Sequence, residues 1–78
     1  MITQIYEKQT LSGPFYRYVC LDMNSEEEHE WTVTEWLGDT PEMAKTYYHR
    51  SLVDALWDIE WWQRSNTDHG YQLIDIKR

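Results

Sequence analysis

A chain of 78 residues is one domain, and at this size a fold buries only about 60% of the surface its unfolded chain exposes, so the core is thin. Five Trp, six Tyr and one Phe offer large side chains to that core, while three Gly and two Pro are too few for a disordered or low-complexity chain. The net charge of −7 argues against direct binding to nucleic acid or to an anionic membrane, and the longest apolar run, Tyr18-Val19-Cys20-Leu21, is far short of the roughly 20 residues that span a bilayer.

The opening segment, Met1-Ile2-Thr3-Gln4-Ile5-Tyr6-Glu7, has neither the basic start nor the apolar centre of a secretory signal. Instead Ile2 to Lys8 alternates loosely and reads as a first strand. Leu11-Ser12-Gly13-Pro14 is turn punctuation. Phe15 to Met23 is a stronger strand, with Phe15, Val19, Leu21 and Met23 on one face and Tyr16, Tyr18 and Cys20 on the other. Arg17 interrupts the first face, which predicts that its outer end reaches solvent. Cys20 has no second cysteine to pair with, so a reducing, cytoplasmic setting is expected. Its place in a patterned strand marks it as a core residue rather than a nucleophile.

Asn24 to His29 is a polar loop, and Glu30 to Leu37 is the next strand, with Trp31, Val33 and Leu37 on one face and Thr32, Thr34 and Trp36 on the other. Two consecutive strands joined by a polar loop predict an antiparallel hairpin. Eight acids and no Lys or Arg lie between Tyr18 and Ala44, so the acidity of the chain belongs to this segment. The tip, Glu26, Glu27, Glu28 and Glu30, reads either as a solvated loop or as a docking surface for a basic partner. It lacks the ligand spacing of an EF-hand or a His-based zinc motif. Gly38-Asp39-Thr40-Pro41 is a second turn, and Ala44 to His49 reads as a short Tyr-rich strand.

Ser51-Leu52-Val53-Asp54 places an N-cap Ser three residues before an acid, a variant of the capping box. A helix is predicted from about Leu52 to Arg64, ending near Ser65-Asn66, and Gly70 turns the chain into a last strand from Tyr71 to Lys77. At 100° per residue Leu52, Ala55, Leu56, Ile59 and Trp62 form the natural core face. Trp57 and Trp61, spaced i, i+4, fall on the far side among Val53, Asp54 and Asp58. These two Trp rings either fold over the rim of a small core or form, with Asp54 and Asp58, an exposed surface that docks a protein partner or a second copy of the chain.

The order β-β-β-(β)-α-β predicts an α+β domain: a mostly antiparallel sheet of four to five strands with one amphipathic helix on one face. No catalytic motif is present. His29, His49 and His69 stand apart, and there is no zinc-protease pair, nucleophile elbow, phosphate loop or Cys pair. The expected function is therefore that of a non-enzymatic acidic binding protein without a cofactor, occupying a surface of another protein, possible targets including a basic nucleic-acid-binding surface. The alternative is a homo-oligomeric accessory protein, a homodimer among them, that uses the Trp stripe as its self-interface. In size, charge and cytoplasmic character the chain resembles the small acidic proteins of phages and mobile elements that block host nucleases, CRISPR effectors or DNA-repair enzymes. The resemblance implies an inhibitor of that type but carries over no residues. Eight acids also fall short of the about 14 charges on a 24 Å stretch of duplex, so full mimicry of DNA is not expected.

Overall fold

The structure, a computed structural model, describes residues 1–23, 30–38 and 40–78. It contains strands β1 (Ile2–Thr10), β2 (Gly13–Met23), β3 (Trp31–Leu37), β4 (Lys45–His49) and β5 (Gln72–Lys77), with helix α1 (Leu52–Asp68) between the last two and a 3-10 turn at Pro41–Met43. The strands form one sheet in the order β4-β3-β2-β1-β5, antiparallel at every junction, and α1 packs on one face. This is the predicted α+β architecture. Among the described residues no helix is long and apolar enough to cross a membrane.

The first hairpin turns on Leu11-Ser12, with Thr10 opposite Gly13. The Thr10 hydroxyl accepts from the Ser12 N–H and donates 2.7 Å to the Gly13 carbonyl. Gly13 sits at φ +106°, a backbone region that a side chain strongly disfavours. Alternation then assigns the faces as the pattern predicted. Val19, Leu21, Trp31 and Val33 point toward α1, while Tyr16, Tyr18, Cys20, Thr34 and Trp36 line the opposite, open face. Cys20 is a free thiol, and it is buried although it lies on the open side. On that side Tyr18 and Trp36 stack at 5.1 Å between ring centroids.

The core is small: Tyr6, Val19, Val33 and Ala55 are buried together, with Leu21, Trp31, Ile59, Trp62 and Tyr71 packed against them. Burying each large apolar side chain stabilises the fold by about 1.5–3 kcal/mol. Tyr6 is the one Tyr or Trp that is fully buried among the described residues. Its hydroxyl donates 2.6 Å to Gln4 Oε1, and burial raises its pKa above the ordinary phenol value.

Helix α1 begins where the cap predicted. Ser51 is extended, and its Oγ accepts from the Asp54 N–H at 3.2 Å. The helix does not stop at Ser65-Asn66 but continues to Asp68, because Asn66 is drawn into the interface. Asn66 Oδ1 accepts from Arg17 Nη1 at 3.2 Å, and the Asn66 carbonyl accepts from the Tyr71 N–H. The turn at Gly70, φ +86°, ends the helix. Arg17 is likewise not directed out to solvent. Its guanidinium carbon lies 4.3 Å from the centre of the Tyr71 ring, beneath the end of the helix.

A candidate protein-docking surface on the helix

Small Ala55 sets how α1 meets the sheet. With no side chain beyond Cβ, it lets the helix backbone come close to Tyr6, Val19 and Val33, and the line of closest approach then follows Ala55, Ile59, Trp62 and Asn66. The predicted core face is thus turned. Ala55, Ile59 and Trp62 face the sheet, but Leu52 and Leu56 are 40% and 49% exposed. Two contacts fix the side nearer β4. His49 Nε2 meets Asp58 Oδ2 at 2.8 Å, and the Trp62 ring tilts against Tyr47 at 6.1 Å. Leu52 and Leu56 lie on the opposite flank of the helix, toward β1 and β5.

The outcome is one continuous apolar stripe. Leu52, Val53, Leu56, Trp57 and Trp61 are all exposed, Trp57 by 62% and Trp61 by 56%. Val53, Leu56, Trp57 and Glu60 line a shallow depression. Trp61 is held edge-on to Trp62 at 4.8 Å, so its exposed face is presented in a fixed attitude. Charge surrounds the stripe. Asp54, Glu60 and Asp68 are exposed, and one cation, Arg64, pairs with Glu60 at 3.3 Å.

Of the residues singled out in the sequence, Asp54, Trp57 and Trp61 come together here. Asp58 does not join them, since it lies on the sheet side of the helix, mostly covered and bonded to His49. Glu30 is partly buried just before β3, at the end of the sheet where α1 begins, because Trp31 pairs with His49. Glu26, Glu27 and Glu28 lie outside the described residues.

Sequence reasoning missed two polar clusters that hold the helix. One is the His49–Asp58 pair, and the other is Arg17 with Asn66 and Tyr71, where Lys8 Nζ also lies 5.7 Å from the Tyr71 ring. The helical repeat carried a signal for both. Asp58 is one turn from Ala55 and Asn66 three turns, so both share its side. On the open face, the Tyr16 hydroxyl is held above its ordinary pKa, first by its hydrogen bond to the Glu7 carboxylate. Among the described residues no three of His, Cys, Asp and Glu gather closely enough to hold a metal ion. Comparison with family models, with curated proteins and with solved structures gives no match to this chain.

Proposed function

We propose that this chain is a non-enzymatic binding protein that docks another protein through the outer face of α1. The observation that carries the reading is the exposed stripe of Leu52, Val53, Leu56, Trp57 and Trp61. Five large apolar side chains held in water on one helix lose nothing on folding the monomer alone and gain when a partner covers them. Trp dominates binding energy where a ring enters a pocket and neighbouring groups exclude water. The acidic rim of Asp54, Glu60 and Asp68 selects a partner whose groove is apolar at its centre and basic at its edge. A basic nucleic-acid-binding surface fits that description, and occupying it would make the chain an inhibitor of the phage-encoded type.

The test is the double variant Trp57→Ala/Trp61→Ala. It should keep the circular dichroism spectrum and melting temperature of the parent, since both rings are largely exposed, and should lose capture of the partner that the parent retains at low salt. An unfolded double variant would return both rings to the core and end this reading.

A further inference from the structure

A second surface lies at the edge of the sheet, on β5. Strand β5 pairs with β1 on one side only, all six of its residues are exposed, and it carries Leu73, Ile74 and Ile76 at 39%, 50% and 50% exposure. A bulge between the pairings of Ile5 and Tyr6 puts Leu73 and Ile76 on the helix side, opposite Tyr6 and Gln4. The same bulge puts Asp75 and Lys77 on the open side, opposite Ile5 and Thr3. The backbone N–H of Ile76 is not spent on β1, since it donates 2.8 Å to the carboxylate of Asp75. The free edge therefore offers an N–H flanked on one side by an acid and on the other by a base.

That sequence of groups is self-complementary. We propose that two copies pair antiparallel through β5, with a two-fold axis at Ile76. In this register the two Ile76 residues exchange both backbone hydrogen bonds. Asp75 of each copy faces Lys77 of the other, and the Ile76 side chains meet on the helix side. Moving the axis to Asp75 would set carboxylate against carboxylate, and a slip by one residue would carry the aliphatic side chains to the opposite face. On joining, Asp75 exchanges its own-chain N–H for the second copy's ammonium, and the Ile76 N–H takes a carbonyl in its place. The sheet becomes ten strands with both helices on one side. Leu52 and Leu56, on the flank facing β1 and β5, and Ile2, 41% exposed, then border the seam. Pairing through the helix stripe instead would oppose the two acidic rims. The inference rests on the backbone and charges of the sheet edge, and needs no contact from Val53, Trp57 or Trp61.

Sedimentation equilibrium of the full chain should give twice the monomer mass. Asp75→Lys should return it to monomer, and Asp75→Lys/Lys77→Asp should restore the dimer, because the reversed pair is again complementary. Ile76→Cys gives a second, independent reading. Cα atoms of a hydrogen-bonded antiparallel pair are about 5.5 Å apart, within disulfide range, so mild oxidation should link two copies. Gln72→Cys, off the axis, and the parent, whose Cys20 is buried, should stay unlinked. Circular dichroism of each variant should match the parent, as all these positions are exposed. A parent that remains monomeric at millimolar concentration, or a dimer untouched by Asp75→Lys and lost in Trp57→Ala/Trp61→Ala, would overturn the proposal.

Discussion

Tyr6 is the residue on which most of the core closes, and its hydroxyl makes the core sensitive to alkali. Burial disfavours the phenolate, so the native pKa lies above the value near 10 that the unfolded chain keeps. Between those two values the unfolded state holds fewer protons than the native state, and stability falls as pH rises. Below about pH 10 the contribution is fully present. Tyr6→Phe keeps the ring and deletes the proton. It should cost about 1 kcal/mol at neutral pH, for the lost bond to Gln4, and should flatten the alkaline decline. Urea unfolding of both proteins at a series of pH values reads this directly, and equal slopes above pH 10 would show that Tyr6 is not the group responsible. Arg17 and Asp58 illustrate the other kind of residue, a polar group tucked under the helix edge, the first held by Asn66 and the Tyr71 ring and the second by His49. Asp58→Ala leaves the mostly covered His49 without its 2.8 Å bond and should cost about 1–2 kcal/mol in the same measurement.

At the scale of single elements, the helix start is a local matter and its end is not. Ser51 and Asp54 lie within one turn, so the cap can be read from four consecutive residues. Ser51→Ala should cost about 1 kcal/mol, which in a domain of this size lowers the melting temperature by about 4–8 °C. The end at Asp68 depends on Arg17, whose bond to Asn66, 49 residues away in the chain, turns an apparent stop signal into a buried contact. Strand positions were legible because a period of two reveals itself over a few residues, as Val19, Leu21 and Val33 show against Tyr18, Cys20 and Thr34. The inward face of the helix was only partly legible. A wheel ranks Leu52 and Leu56 above Ala55 by size, whereas packing ranks Ala55 first because it permits the closest approach. That rotation is also why the exposed stripe is broader than the sequence predicted, with two leucines added to the two tryptophans and Asp58 taken away.

For the molecule as a whole, surface is the dominant quantity. A standard interface buries about 800 Å² on each partner, and the exposed side chains of Leu52, Val53, Leu56, Trp57 and Trp61 are surface of the kind that association removes. Charge sets how that association responds to its medium. With eight acids and no Lys or Arg between Tyr18 and Ala44, binding to a basic partner should weaken as salt is raised through the range where the screening length falls below about 8 Å. Replacing Glu26, Glu27 and Glu28 together with Gln should slow the association rate in surface-binding kinetics and leave the dissociation rate nearly unchanged. Binding indifferent to both salt and the triple change would remove electrostatic steering from the account.

The sheet order places the first strand beside the last, with Thr3 opposite Lys77. Strands β1 to β4 form a meander whose pairings are all between chain neighbours, each closing a short loop. Only β5 must travel, carried by the helix from one edge of the sheet to the other, and its pairing closes a loop of nearly the entire chain. Local pairings form quickly and long closures slowly. A four-stranded meander with a bare β1 edge would therefore form before β5 joins it, and that interval is when the folding chain most needs its neighbours kept away. In the finished protein the same order should reappear as a hierarchy of hydrogen exchange, with the amides of β5 opening first and those of β2 last.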